Sequence, residues 1–362
     1  MTVEFVGMIG ASYYSESATP TGPAIDQAYL RKFARAYDEG GFDWTLVPYG
    51  SAAPESNQLA AAVLGRTERL KVMLAHRPGV LFPTNAARAF ATLDLLSDGR
   101  LGIHFLAGGN DTEQRREGDY LGKDQRYARA AEYIQILRRA WSSAEPFSHN
   151  GEHYRFENYS SQVLPTNRGM TVSVGGSSDA AYRLGGAEGD VFGLWGEPLA
   201  ETAEQIASVN RYADAAGRPH PRIWVSFRPI IAATDELAWE RAQQILGGIK
   251  QNFTPKTPLP VSNGAAATPQ NVGSQRLLTV AAKGERHDRA LWTPTATATN
   301  AAGSSTALVG SYQTVAAALL DYVDIGCELL SVRGYDPLND AVDLGRYVLP
   351  LVRQELAHRG AA

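Results

Sequence analysis

Residues 171–198 read TVSVGGSSDAAYRLGGAEGDVFGLWGEP, and the fold turns on how this stretch is parsed. Thr171-Val172-Ser173-Val174 is a short β-branched run of the kind that forms a buried strand. Gly175-Gly176 turns the chain, and Ser177-Ser178-Asp179 caps a helix that begins near Ala180. A strand that ends in glycines and enters a helix N-terminus offers N–H groups, a favourable dipole and room for an oxyanion. A second strand, Asp190 to Leu194, ends in Trp195-Gly196-Glu197-Pro198. Each piece has a plainer reading: an ordinary capped turn, and a tryptophan that only packs. The two in succession favour a ligand site, because parallel α/β proteins bind ligands at the C-terminal ends of their strands.

The chain has 362 residues, 44% of them apolar and 20% charged, as expected of a globular protein with a sizeable core. Its net charge is −4 and it has no basic block, which argues against nucleic acid and acidic membrane surfaces as partners. The one cysteine, Cys327, lies in an apolar run, so neither an internal disulfide nor a cysteine-based metal site is expected. No histidine or carboxylate cluster has metal-ligand spacing. Met1-Thr2-Val3-Glu4 lacks a basic flank and no apolar run approaches membrane-spanning length, so a cytoplasmic location is expected.

Taken in order, strand-like runs occupy Val3–Ile9, Asp43–Pro48, Leu70–Ala75, Leu101–Leu106, Thr171–Val174, Asp190–Leu194, Ile223–Ile231 and Glu328–Val332. Helical periodicity separates them, for example over Tyr29–Glu39, Pro83–Leu96, Tyr127–Trp141, Leu199–Ala215 and Glu236–Ile249. Eight such units predict an α/β fold, a closed (β/α)8 TIM barrel in preference to an open doubly wound sheet. No dinucleotide fingerprint is present. One domain over residues 1–362 is expected. Residues 251–305, rich in Pro, Thr, Asn and Gly, are read as an insertion after the seventh strand that serves as an active-site lid.

In a barrel the active site is assembled from strand ends, here His76-Arg77, Gly108-Gly109-Asn110, Gly176-Ser177-Ser178, Trp195, Ser226-Phe227-Arg228 and Arg333-Gly334-Tyr335. Arginines and aromatics suit a flat, anionic ligand pair, and the scarcity of proton-transfer groups assigns the chemistry to a bound cofactor. Trp195, Arg228, Tyr335 and His76 are candidate catalytic residues, with a satisfied interior histidine as the alternative for His76. Arg228 is read as facing an anion in preference to a buried ion-pair partner. Ser226, on the same strand face, and Arg276, within the insertion, join it as candidate substrate contacts. Arg100 is read as a surface or interhelix salt-bridge residue.

These motifs resemble the bacterial luciferase-like flavin monooxygenases, and among them the two-component alkanesulfonate monooxygenases. The resemblance is carried by Arg77-Pro78, Ala91-Thr92-Leu93-Asp94, Leu96-Ser97-Asp98-Gly99-Arg100, Arg126-Tyr127, Gly175-Gly176-Ser177-Ser178-Asp179, Trp195-Gly196-Glu197-Pro198, Val272-Gly273-Ser274-Gln275-Arg276, Thr306-Ala307-Leu308-Val309-Gly310 and Gly334-Tyr335. It implies a TIM barrel that takes reduced FMN (FMNH2) from a separate NAD(P)H-dependent flavin reductase. With O2, such an enzyme cleaves the carbon–sulfur bond of an organosulfonate to sulfite and an aldehyde. Gly176, Ser177, Ser178, Tyr127 and Asn110 match flavin contacts, and Trp195 and Tyr335 match active-site residues. The chain departs from those enzymes on strand seven, where Ser226-Phe227-Arg228 replaces Arg-x-His. A bulkier sulfonate such as sulfoquinovose suits a pocket of Arg, His, Tyr and Trp. A homo-oligomer, dimer or tetramer, is expected. The competing readings are a deazaflavin-dependent dehydrogenase of the same superfamily and a non-catalytic flavin-binding barrel.

Overall fold

The computed structural model describes residues 3–18, 22–253, 268–303 and 306–361. Its barrel strands are Glu4–Met8, Trp44–Val47, Lys71–His76, Leu101–Phe105, Thr171–Gly175, Val191–Trp195, Arg222–Ala232 and Cys327–Val332, each at an expected position. With helices between the strands, they make a closed (β/α)8 TIM barrel. Residues group into two compact units, Met1–Thr45 with Gly193–Ala207 and Arg222–Ala362, and Leu46–Phe192 with Ser208–Pro221.

The first unit is organised by the seventh strand, which is 11 residues long. Its first half pairs in parallel with the eighth strand, from Ile223 opposite Cys327 to Phe227 opposite Val332. From Arg228 onward it pairs instead with the strand Ala307–Ser311, as far as Ala232 opposite Ser311. The strand therefore changes partner at Arg228. Strand periodicity puts Phe227 on the helix side, where its ring lies 4.6 Å from that of Tyr322, and turns Ser226 and Arg228 the other way. Of the 251–305 insertion, residues 254–267 and 304–305 lie outside the described residues. The rest is ordered structure where the composition suggested loop: a helix Val272–Lys283, a short hairpin of Arg286–His287 with Leu291–Trp292, and a helical turn Pro294–Ala298. The hairpin adds to Ala307–Ser311 as an antiparallel neighbour. The insertion follows the helix Asp235–Asn252, where the helical periodicity of Glu236–Ile249 ends.

In the second unit the third, fourth and fifth strands run parallel in register, Val72 opposite Leu101 and Gly102 opposite Thr171. An antiparallel hairpin of Phe147–Asn150 and Arg155–Tyr159 is an excursion held by Glu132. That carboxylate accepts from His149 Nε2 at 2.8 Å and from the N–H groups of His153 and Tyr154 at 2.9 and 3.0 Å. Arg100 proves to be a backbone staple. Its guanidinium donates to the carbonyls of Ser97, Leu70 and Leu64 at 2.9, 3.0 and 3.0 Å and to the Thr67 hydroxyl at 3.1 Å. Leu64 ends the helix Ser56–Leu64, whose last carbonyls lack intrahelical donors. Replacing Arg100 by Met removes charge-assisted bonds worth roughly 1.5–3 kcal/mol each before water replaces them. Arg100→Met is expected to lower unfolding stability by about 2–3 kcal/mol in urea titrations, with no effect on ligand binding.

Candidate functional site

The turn after the fifth strand lets Ala181 and Tyr127 pack directly against its backbone. Gly176 sits at φ +141°, and a Cβ there would lie 2.8 Å from the Ala181 Cβ and 3.2 Å from the Tyr127 hydroxyl. Only glycine fits. Ser178 caps the helix Asp179–Glu188, its hydroxyl accepting from Ala181 N–H at 3.3 Å, and it also hydrogen-bonds Tyr127. Burial raises the Tyr127 phenol above its usual range, with the Ser178 bond pulling the other way, so the hydroxyl is a neutral donor at pH 7. Gly176, Ser178 and Tyr127 are thus brought together, with Ser177 between the first two. Asn110 spends its carbonyl oxygen on the N–H of Glu113 at 3.2 Å, as the cap of the helix Asp111–Arg116. Beside it lies a residue that sequence reasoning missed. Gln114 is fully buried, and its amide has no hydrogen-bond partner among the described residues. Its side chain fills the space a Cβ on Gly108 would occupy, so Gly108, at φ +80°, was the available signal.

His76 does not join this site. It is 1% exposed, its Nε2 is 2.9 Å from the Tyr133 hydroxyl, and its ring packs on Phe90 and Tyr133 from the helices Pro83–Leu96 and Lys123–Ser142. It therefore faces the helix layer, and the interior-histidine alternative holds. Burial pushes its pKa down to about 3. Arg77 is buried against Glu113 at 3.1 Å and against Glu117, and lies 4.7 Å from the Tyr49 ring centre.

In the first unit, the anion expected for Arg228 is a carboxylate of the chain itself. Arg228 donates to Glu16 through Nη1 at 2.9 Å and Nη2 at 2.8 Å, and to the carbonyls of Arg333 at 2.8 Å and Gly334 at 3.2 Å. The buried ion pair forms because Glu16, on the loop after the first strand, is held there: Gly248 packs under Ser17, where a Cβ would meet the Ser17 carbonyl at 2.5 Å. Glu16 also accepts from Arg333 at 2.7 Å. Burial alone would raise the Glu16 pKa, but the two guanidiniums outweigh it and hold the carboxyl well below the usual range. Tyr335 is 3% exposed, lies with its ring 4.0 Å under the Arg228 guanidinium, and shares a hydrogen bond with Thr295 of the insertion. Its phenol is raised, chiefly by burial.

Arg276, expected as a substrate contact, also turns inward. It binds Glu197 through Nε at 2.9 Å and Nη2 at 2.8 Å, and reaches Glu204 at 3.5 Å. Glu197 is 1% exposed, and burial keeps its pKa above the usual carboxylate value in spite of the Arg276 charge. Trp195, two residues earlier, lies against Gly273, where a Cβ would come within 2.9 Å of the indole. The insertion therefore touches Trp195, Glu197 and Tyr335.

The geometry is that of a (β/α)8 barrel with a tight glycine turn after its fifth strand and an insertion bonded to Glu197 and packed on Trp195. The family model of luciferase-like monooxygenases matches residues 8–329, and the chain belongs to that family. Solved structures share the fold at low identity. A riboflavin lyase, crystallised with modified FMN and riboflavin, superposes with a TM-score of 0.80 at 18% identity, covering 98% of this chain and 92% of that one. The EDTA monooxygenase of Chelativorans sp. BNC1 gives 0.79 at 18%, covering 98% and 94%. DmoA of Hyphomicrobium sulfonivorans gives 0.77 at 17%, covering 98% and 88%.

Two outcomes follow from the misread residues. Unfolded histidine protonates near pH 6.5, whereas His76 stays neutral to about pH 3, so it makes stability fall as pH drops through that window. His76→Gln, which keeps a partner for Tyr133, is expected to lose less stability between pH 7 and pH 4.5 in urea unfolding. Arg276→Met leaves Glu197 buried without its cation and is expected to cost about 2–4 kcal/mol. A carboxyl with a raised pKa gives up its stabilising proton as pH rises, so that cost grows from pH 5 to pH 8.

Proposed function

We propose that this chain is the oxygenase of a two-component system, taking reduced FMN from an NAD(P)H-dependent flavin reductase. With O2 it cleaves the carbon–sulfur bond of an organosulfonate to sulfite and an aldehyde, with a sugar sulfonate such as sulfoquinovose among its substrates. The observation that carries the cofactor is the turn at Gly176. With no Cβ at Gly176, Ala181 and the Tyr127 hydroxyl close in on the turn, which sets that hydroxyl beside the N-terminus of the helix Asp179–Glu188, where an oxyanion is favoured. Gly176, Ser177, Ser178 and Tyr127 hold the flavin phosphate and ribityl chain, and Asn110 and the Gln114 amide, which has no hydrogen-bond partner among the described residues, follow the adjacent strand. When bound, the flavin supplies the electrons that activate O2.

The chain's own residues do the rest. Trp195 and Tyr335 wall the substrate end, and Ser226 offers a hydroxyl on the same strand face as Arg228. Insertion residues 268–303 exclude water by closing over Trp195 and Tyr335 through Gly273 and Thr295. A sulfonate is supported by the two guanidiniums at this end, Arg228 and Arg333, which share the carboxylate of Glu16.

The test is anaerobic titration of FMN followed by a sulfonate panel, with sulfite measured while a reductase supplies FMNH2. Wild type is expected to bind FMN and release sulfite, and Gly176→Ala to weaken FMN at least about tenfold, one lost charge-assisted bond's worth. FMN binding without sulfite from any sulfonate rejects desulfonation. Binding of a deazaflavin in place of FMN moves the chain to the dehydrogenase reading.

A further inference from the structure

We propose that Arg333, at the end of the eighth strand, is the residue that receives the acidic group of a small organic anion, a sulfonate or a carboxylate. The inference rests on the reading of this end of the barrel as the substrate end.

A guanidinium carries five N–H donors. Arg228 commits four of its contacts to oxygens of the protein, two on Glu16 and one each on Arg333 and Gly334. Its side chain is 5% exposed, so it is both satisfied and out of reach. Arg333 is placed differently. Among the described residues its side chain bonds one oxygen, of Glu16 at 2.7 Å, and the Met8 sulfur at 3.1 Å, a weak acceptor. Its Nε is buried with no hydrogen-bond partner among the described residues. The side chain is 19% exposed, which leaves it open to an incoming group.

Charge points the same way. Glu16 is shared between two guanidiniums, and the next carboxylate, Asp340, which acts on Arg228, is itself bonded to Arg241, so Arg333 holds only part of a counter-charge and can take a further anion. A second unfilled donor lies on the helix Gln27–Glu39, whose Tyr37 hydroxyl bonds the backbone of Met8. There the Tyr29 hydroxyl is buried without a hydrogen-bond partner among the described residues. Guanidinium geometry suits carboxylate and sulfonate oxygens, and its charge does not titrate away. Arg228 thus fixes Glu16, Glu16 orients Arg333, and Arg333 meets the ligand.

The test is calorimetric titration of the full chain, without flavin, with butane-1-sulfonate, pentanoate and the neutral 1-pentanol. At least one anion is expected to bind, with the alcohol at least tenfold weaker, and the stronger anion names the acidic group. Arg333→Met is expected to lose about thirtyfold or more in anion affinity. Arg333→Lys keeps part of it, and FMN affinity stays within twofold in both variants. Wild-type affinity in Arg333→Met, equal binding of alcohol and anion, or no anion binding to wild type overturns the proposal, the last meaning that water alone solvates Arg333. Should wild type bind an anion through Arg333 but no flavin, the oxygenase reading fails and the anion site stands.

Discussion

Glu16 sits between two guanidiniums, and much of the first unit is arranged to keep it there. Taking three charged groups out of water is unfavourable unless each finds a partner, so the loop after the first strand, the end of the seventh and the end of the eighth are fixed together. Ser17 is pressed onto Gly248, Met8 is bonded by Tyr37, and Tyr335 lies flat against Arg228. Remove the carboxylate and two cations repel across a dry space. Remove Arg228 and Glu16 loses the cation that makes its burial tolerable.

The second buried acid, Glu197, plays the corresponding part for the insertion. Its carbonyl accepts from Tyr322 at 2.8 Å and from Thr202 at 3.0 Å, which anchors the backbone, while its carboxylate takes Arg276 from the insertion helix. Lys283 on Glu201 at 2.7 Å and Asp288 on the N–H of Leu199 at 2.9 Å add to the attachment. An insertion fixed by charge pairs responds to ionic strength and pH in a way that one fixed by apolar packing does not.

The barrel was legible because its signal is local. Each strand is a short apolar run and each helix an amphipathic one, so all eight strands could be placed without knowing any distant contact. The turn at Gly176 was legible for the same reason. Arg228 was not, because its partner lies 212 residues away and no local pattern announces Glu16. His76 failed for another reason: almost every residue of Lys71–His76 is buried, so no alternation shows which face it takes. The insertion misled by composition, since its Pro, Thr, Asn and Gly read as loop, whereas its described residues include the helix Val272–Lys283, held by Arg276 on Glu197 and by the Ser274 hydroxyl on the Ala301 carbonyl. The periodicity of Leu338–Leu356 reads as one helix. It is interrupted by a π-helical turn at Leu344–Val348, where Gly345 comes so close to Gly40 that a Cβ would meet its carbonyl at 2.7 Å.

The change of partner at Arg228 also bears on the open edges of the sheet. A strand longer than its neighbour leaves unpaired N–H and C=O groups, a template on which a second chain can add. Here residues 228–232 would be such an overhang. Ala307–Ser311 covers it from within, and the hairpin of residues 286–292 covers that strand in turn. The insertion is therefore a sheath for the seventh strand: shortening it where Arg286–His287 and Leu291–Trp292 return to the sheet would bare that edge.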